Sequence, residues 1–361
     1  MTAAPATALD IELRVLAASP ADAASAAVPS TVVGDWDDDD VVASVAAGAD
    51  VITFDHELVD PQIVARWEAA GHVVRPTSAT LAVAADKAAQ RRSMLAAGLP
   101  VPDHGLATTV AEVEQFGRRF GWPLVVKAAR GGYDGRGVWW LQNADAAGPV
   151  LAGLAEGVPL VVEPVLDLTA ELAVQVARAA DGRTVVYPVV RTHQVDGICH
   201  EVVAPSGLPA AVEIEARALA LRVAEAVGAV GMIAVEFFLV GDRLLINELA
   251  PRTHNSGHYS IEACTTSQFE NHLRAVLGLP LGDPSLRVPA AAMVNVLGGE
   301  VAPDPARARE AALAQPGAKV HLYGKGHRPG RKLGHVTVCA ADTATALAEA
   351  RAAARALVTG H

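Results

Sequence analysis

The sequence predicts a chain of mixed α/β and α+β class: a parallel-sheet domain first, antiparallel sheets in the middle, a small β-rich domain last. Three observations carry this. Residues 1–80 alternate strand and helix patterns, which implies a parallel sheet. Residues 81–285 run strand after strand with turn signals between them, most clearly in a hairpin around Val240-Gly-Asp-Arg243. The chain has 361 residues, 51% hydrophobic and only 4% aromatic, enough for two or three domains with alanine-packed helices.

Composition excludes some classes of function. A formal charge of −11 argues against non-specific nucleic-acid binding, though not against a small anion in a locally basic pocket. Cys199, Cys264 and Cys339 lack metal-type spacing and read as reduced thiols of a cytoplasmic protein. No apolar run approaches the ~18 residues of a membrane span, and no signal peptide is visible.

Taken in order, residues 12–17 form a short strand, 41–48 a helix, 51–54 a strand, 61–70 a helix and 73–75 a short strand. The acidic run Asp35, Asp37, Asp38, Asp39 and Asp40 reads as a solvated turn capping the next helix. Asp55, His56 and Glu57 follow a strand, where α/β proteins place ligands. Residues 84–97 form one helix, stopped by Gly98 and Pro100, with Lys87 and the Arg91–Arg92 pair on a solvated face. Val101-Pro-Asp103 opens a new unit, so a domain boundary falls near residue 80.

Residues 122–127 are a strand ending in Lys127, and 138–141 return. Between them Arg130-Gly-Gly-Tyr-Asp-Gly-Arg-Gly137 places four glycines among seven residues. Such a loop lets backbone N–H groups approach an anion, while Lys127 supplies a point charge for phosphate. It is not a P-loop, because no Gly-Lys-Ser/Thr opens a helix. Residues 160–166 form a strand that leaves Glu163 at its end, and Glu171 opens the next. Residues 185–190 and 198–203 continue an antiparallel sheet through an Arg191-Thr-His193-Gln194 connection. A helix spans 210–227 and another 261–277, with 280–289 as linker. Residues 321–335 place Lys325, Arg328, Arg331 and Lys332 in a Gly/Pro loop between strands, an anion site in an acidic protein. The last 20 residues form an alanine-rich helix.

The hairpin holds Glu236 in its first strand and Asn247-Glu248 at the end of its second. A three-residue loop, 241–243, sets Glu236 opposite Glu248, where like charges destabilise a sheet unless a divalent cation lies between them. A two-residue loop pairs Glu236 with Asn247 and turns Glu248 away. Arg252, His254 and Asn255 follow at once, which suggests a metal-nucleotide site beside an anion-binding loop. His254 and His258 have the spacing of a helical zinc pair, but Pro251 and Gly257 favour loop and the accompanying acid is absent, so zinc is rejected.

A strand-end lysine, a Gly-rich loop, a strand-end glutamate and a Glu…Asn-Glu hairpin together resemble the ATP-grasp ligases. Residues 130–137, 245–258, Ser267-Gln-Phe-Glu270 and Arg328-Pro-Gly-Arg-Lys-Leu-Gly-His335 closely match the N5-carboxyaminoimidazole ribonucleotide synthetases, and the resemblance runs from about residue 8 to 350. It implies an ATP-grasp fold: a pre-ATP-grasp domain over 1–80, an ATP-grasp domain over 81–285 with a lid at about 105–166, and a C-terminal domain over 286–361. It also implies ATP- and bicarbonate-dependent carboxylation of 5-aminoimidazole ribonucleotide through carboxyphosphate, in purine synthesis, by a cytoplasmic homodimer using Mg²⁺ or Mn²⁺.

By the same resemblance, ATP would be held by Lys87, Lys127, Gly132, Tyr133, Asp134, Gly135, Arg136, Gly137, Val138, Glu163, Pro164, Val165, Leu166, Glu171, Gln194, Asn247 and Glu248. Glu236 and Glu248 would ligate the metal. Tyr133, Asp134, Arg136, Lys325, Arg331 and Lys332 would hold the ribonucleotide, the last three at its phosphate. Arg252, His254 and Asn255 would face the ribonucleotide and bicarbonate and, with Asp134, form the catalytic set. Two departures stand out. Gln194 takes the place of a histidine common in the family, with His193 beside it. Met1 falls just past the family's first strand and Gly-Gly-Gly-Gln-Leu-type loop, so the first sheet is expected to lack that strand. Other readings are a different ATP-grasp ligase, against which the Arg-Pro-Gly-Arg-Lys stretch argues, or a nucleotide-binding protein without catalysis.

Overall fold

The computed structural model describes residues 1–132 and 135–361; the readings placed on Tyr133 and Asp134 lie outside them. The first unit contains α1 (Ala3–Ala8), β1 (Val15–Ala17), α2 (Ala23–Ala27), β2 (Thr31–Val33), α3 (Asp39–Ala46), α4 (Pro61–Ala69) and α5 (Ser78–Ala84). β1 and β2 pair in parallel. The strands expected at 51–54 and 73–75 amount to one isolated parallel bridge, Ile52 to Val74, and no ladder joins it to β1 among the described residues. β2 escaped the sequence reading because three residues between Ser30 and Gly34 are too short to show a period. Asp38 accepts from the Asp40 and Val41 amides and caps α3, so the acidic run is a helix start.

The helix expected over 84–97 is two. α5 ends at Ala84, and α6 (Lys87–Ala96) starts anew because the Asp86 side chain caps the Ala89 amide. An unbroken alanine pattern hides that break.

The residues expected to form the lid contain β3 (Gly105–Ala107), α7 (Val110–Phe120), β4 (Leu124–Ala128), β5 (Val138–Leu141), α8 (Ala147–Ala152) and β6 (Leu160–Pro164), a unit with its own sheet. Its four strands run β3-β6-β4-β5, all antiparallel. Thr109 and Glu112 close a reciprocal capping box that fixes the start of α7. Val113 of α7 packs with Leu124, Val126, Leu141, Leu160 and Val162 into a small core.

The main body adds β7 (Ala170–Arg178), β8 (Thr184–Val186), β9 (Val190–Val195), β10 (Ile198–Ala204), α9 (Ala210–Ala226), β11 (Gly231–Val240), β12 (Arg243–Ala250), α10 (Ser260–Ala263) and α11 (Gln268–Val276). The C-terminal unit adds β13 (Ala290–Leu297), α12 (Pro305–Leu313), β14 (Lys319–Leu322), β15 (Lys332–Ala340) and α13 (Thr343–Thr359). Among the described residues these strands form one nine-stranded sheet, β12-β11-β7-β9-β10-β13-β15-β14, with β8 on β7. Arg191–Gln194 lie inside β9 rather than in a connection. The helix expected over 261–277 is also broken: Cys264 leaves helical geometry, and Ser267 caps the Glu270 amide to start α11.

One sheet face is apolar. Leu172, Val174 and Val176 of β7 and Ile233, Val235 and Phe237 of β11 pack under Leu219 and Val223 of α9. Strand alternation puts Glu171, Gln175 and Glu236 on the opposite face. That face carries the polar chemistry.

Candidate active site

The hairpin decides the geometry. Val240 pairs with Arg243, so the turn is the two-residue Gly241-Asp242 and not the three-residue loop. Carried along the ladder, that register would oppose Glu236 to Asn247. A β-bulge intervenes: Phe237 pairs with Ile246 but Glu236 pairs with Glu248, leaving Asn247 as the extra residue. Both acids stay at the same level, and Asn247 is freed to serve other groups. Burial, then the facing Glu248, pushes the Glu236 carboxyl up to about 7. Burial also pushes Glu248 upward, but Lys87 outweighs it and holds Glu248 below the ordinary carboxylate range, Nζ standing 2.5 Å from Oε1. Two opposed carboxylates match the oxygen preference of Mg²⁺ or Mn²⁺, with further positions left for phosphate and water.

Asn247 and α6 tie β4 and β6 to the hairpin. Lys127 Nζ lies 2.8 Å from Glu163 Oε2 and donates to Asn247 Oδ1 at 3.0 Å. Arg91 donates to Glu163 Oε1 from Nε at 2.9 Å and Nη2 at 2.5 Å, and to the Asn247 carbonyl from Nη1 at 2.7 Å. Glu163 is 3% exposed and Arg91 2%, so this is a buried network and Arg91 is not on a solvated face. Burial raises Glu163, but Lys127 and Arg91 outweigh it and hold it at about 2. Burial leaves Lys127 below its ordinary range despite Glu163. Lys87 and Arg91 are one helical turn apart on α6, the i, i+4 spacing that puts two side chains on one face. That spacing was the available signal for Arg91.

The loop after β12 is braced from three sides. Arg252 forms a two-armed ion pair with Glu57 of the first unit, Nη2 to Oε1 at 2.9 Å, which gives Glu57 a role the sequence only hinted at. His254 Nδ1 meets Ser256 Oγ at 2.7 Å, and Gln175 Nε2 donates to the same oxygen at 2.7 Å. Burial, then the Arg252 charge, pushes His254 down to about 3, so its ring is neutral. Its Nε2 stands 3.8 Å from Glu236 Oε1. Asn255 exchanges two amide hydrogen bonds with Asn295 of β13, at 2.8 and 2.7 Å. Gln268 accepts from the His254 amide at 2.9 Å and donates to the His254 carbonyl at 2.8 Å. Gln268, noted only within the matching Ser267-Gln-Phe-Glu270 stretch, and Asn295, not noted at all, carry no expected role because nothing local marks a residue whose partner is far along the chain.

The Gly-rich loop reaches the main sheet. Gly135 and Gly197 both have positive φ, and a Cβ on Gly197 would lie 2.7 Å from the Gly135 Cα. The loop therefore touches the β9–β10 turn backbone to backbone. Gln194 shares its strand face with Thr192, the cross-strand partner of Glu171, and alternation turns His193 to the other face. Burial raises the Glu171 carboxyl. Of the remaining expected residues, Pro164, Val165 and Leu166 end and follow β6, and Lys332 sits close enough to lower Glu236 and His254. Lys325 is exposed and Arg331 half-buried in their loop. The Lys325 ammonium lies 5.5 Å from the Tyr323 ring centroid, and Arg331 Nη1 donates to the Gly326 carbonyl at 3.1 Å.

Comparison with known proteins gives the following likenesses. Residues 1–85 match the ribonucleotide synthetase preATP-grasp domain, 92–269 the ATP-grasp domain, and 291–349 the phosphoribosylaminoimidazole carboxylase C-terminal domain. An N5-carboxyaminoimidazole ribonucleotide synthase of Mycobacterium bovis is 44% identical over 367 residues, covering 100% of this chain and 86% of the relative. The Aspergillus clavatus carboxyaminoimidazole ribonucleotide synthase complexed with ATP superposes with a TM-score of 0.89 at 34% identity, over 99% of this chain and 94% of that one. The A. clavatus enzyme in complex with ADP and 5-aminoimidazole ribonucleotide gives 0.89 at 32% identity, over 99% and 95%.

Proposed function

The chain belongs to the N5-carboxyaminoimidazole ribonucleotide synthase family and is an ATP-dependent ligase, and on that premise we propose how its residues carry the reaction. The reaction is ATP-dependent carboxylation of 5-aminoimidazole ribonucleotide in purine biosynthesis, with bicarbonate as the carbon source. The single observation that supports the assignment best is the bulge that sets Glu236 against Glu248 while aiming Asn247 at Lys127.

Lys87, Lys127 and the glycine loop from Gly132 to Val138 hold the ATP phosphates; Glu163 to Leu166, Glu171 and Gln194 face its nucleoside. Glu236 and Glu248 would hold Mg²⁺ or Mn²⁺. That ion, when bound, neutralises charge on the phosphoryl oxygens. Lys127 acts on the same charge from the lid side. A bicarbonate oxygen attacks the γ-phosphorus, the bond to the ADP oxygen breaks, and carboxyphosphate results. Its C–O bond to phosphate then breaks, CO₂ joins the exocyclic amine, and that nitrogen loses a proton. Arg252, fixed by Glu57, pairs with the anionic carbon source, while neutral His254 and Asn255 supply hydrogen bonds. Lys325, Arg331 and Lys332 hold the ribonucleotide phosphate, and Arg136, with Tyr133 and Asp134, belongs to the same substrate set. Carboxyphosphate hydrolyses readily, so the lid must exclude water.

The same reading includes a homodimer, a cytoplasmic location and domains divided near residues 80 and 285. No helix among the described residues is long and apolar enough to cross a membrane. Phosphate release is the test. It is expected to require bicarbonate and 5-aminoimidazole ribonucleotide together; release that requires formate instead identifies a different ATP-grasp ligase.

A further inference from the structure

Beneath the loop that carries Arg252, His254 and Asn255 lies a row of polar side chains on the C-terminal strands. Asn295, His335 and His321 are direct cross-strand neighbours on β13, β15 and β14, so they share one sheet face. Each holds a different part of the site. Asn295 exchanges side-chain amide hydrogen bonds with Asn255. His321 Nε2 lies 2.7 Å from Glu262 Oε1, on the helix that follows the loop.

His335 is the middle member and is 0% exposed. Its ring stacks on His321 at 4.6 Å between centroids and lies 4.9 Å from His258, at the end of the catalytic loop. Its Nδ1 stands 2.8 Å from the Tyr323 hydroxyl, and its buried Nε2 has no hydrogen-bond partner among the described residues. Burial keeps the imidazole neutral and the phenol protonated; in the tautomer with its proton on Nε2, the tyrosine O–H donates and Nδ1 accepts. An unsatisfied buried Nε2 is costly, so an apolar side chain would suit this position better for stability alone. Tyr323 in turn carries the Lys325 ammonium over its ring, 5.5 Å from the centroid. The ring also meets His258 edge-on at 6.4 Å.

We propose that Tyr323 and His335 are a positioning pair that docks the basic loop against the catalytic loop, fixing Lys325 where the ribonucleotide phosphate binds. This rests on the reading that Lys325 contacts that phosphate. Tyr323 touches no reacting atom; it acts through Lys325, so its removal weakens binding of one substrate and leaves ATP alone.

The test is steady-state kinetics of Tyr323→Phe, Lys325→Gln and the double variant, with KM read separately for 5-aminoimidazole ribonucleotide and for ATP. Tyr323→Phe deletes one hydroxyl and is expected to raise KM for the ribonucleotide about tenfold, with KM for ATP and kcat little changed. In the Lys325→Gln background the same deletion is expected to add nothing, because the two residues act as one unit. A second pair of variants isolates the acceptor. His335→Asn retains an acceptor oxygen near Nδ1 and keeps KM within about threefold of the parent, whereas His335→Leu reproduces Tyr323→Phe. If Lys325→Gln leaves KM for the ribonucleotide unchanged, the phosphate assignment is wrong and the proposal falls with it. If Lys325→Gln raises KM while Tyr323→Phe does not, or if the two effects multiply, the positioning pair alone is overturned.

Discussion

Glu236 and Glu248 face each other across β11 and β12 because β12 carries one more residue than its partner, Asn247. Without that bulge the two-residue turn would send Glu248 to the apolar face beneath α9. With it, the two acids stay opposed on the polar face and Asn247 reaches back to Lys127. A local defect in the ladder thus assembles the site.

The two acids are expected to separate stability from activity. Burial and Glu248 raise Glu236 to about 7, above its ordinary value in the unfolded chain. A carboxyl raised on folding costs stability above its folded pKa and costs none below the unfolded one. In metal-free buffer at pH 8, Glu236→Gln is therefore expected to be more stable than the parent by roughly 1–3 kcal/mol, a gap that closes below about pH 4. Urea titrations at the two pH values check this. Turnover with Mg²⁺ is expected to fall by about 10² or more in both Glu236→Gln and Glu248→Gln. Retained activity in either sinks the metal assignment.

Arg91 and Arg92 adjoin in sequence but not in environment. Arg91 is buried against Glu163 and the Asn247 carbonyl, and Arg92 is exposed. Arg91→Met strands Glu163 with one cation instead of two, and is expected to cost about 3–5 kcal/mol in urea unfolding while raising KM for ATP. Arg92→Met is expected to stay within about 0.5 kcal/mol of the parent. Equal effects would mean that Arg91 does not organise the site.

Much of this was legible in the residues. The glycine-dense loop, the strand-end Lys127 and Glu163 and the Glu…Asn-Glu hairpin are local patterns, and local patterns survive in sequence. Their exact contacts are not local. The sequence implies the Glu236–Glu248 pairing only through a three-residue loop that the hairpin does not have, because a bulge shifts register without leaving a hydrophobic signature. Arg91 reads as solvent-facing charge, since its i, i+4 spacing from Lys87 marks a shared helix face but not that β6 brings Glu163 onto α6. Helix breaks at Asp86 and Ser267 were hidden by periodic apolar residues on both sides, although each break carries its own capping side chain.

His272 makes stability depend on pH in a defined window. It is 2% exposed, accepts from the Met232 amide at Nδ1 over 3.1 Å, and meets Thr53 Oγ1 through Nε2 at 2.8 Å. Burial pushes it down to about 4. Between that value and the ordinary histidine value the unfolded chain binds the proton and the native one does not. Its contribution is thus complete above about pH 6.5 and is lost as pH falls toward 4. His272→Gln removes the titration, so the stability gap between parent and variant is expected to shrink by about 2 kcal/mol from pH 7 to pH 5. A gap that does not change with pH overturns this.

Gly197 tests whether the lid must touch the main sheet for coupling. Its φ is +74°, and an added Cβ would meet the Gly135 Cα at 2.7 Å. Gly197→Ala therefore combines left-handed strain with a clash against the glycine loop. Gly182, in the β7–β8 turn, separates the two effects: its φ is +89° and an added Cβ meets nothing within 4 Å. Both alanine variants are expected to lose about 1–2 kcal/mol from backbone strain. Only Gly197→Ala holds the loop away from the turn, admitting water to a carboxyphosphate that hydrolyses readily. The ratio of ADP formed to ribonucleotide carboxylated is then expected to rise well above one in Gly197→Ala and to stay at one in Gly182→Ala. A ratio of one in both variants would mean that the Gly135–Gly197 contact does not seal the site, and that water is excluded elsewhere.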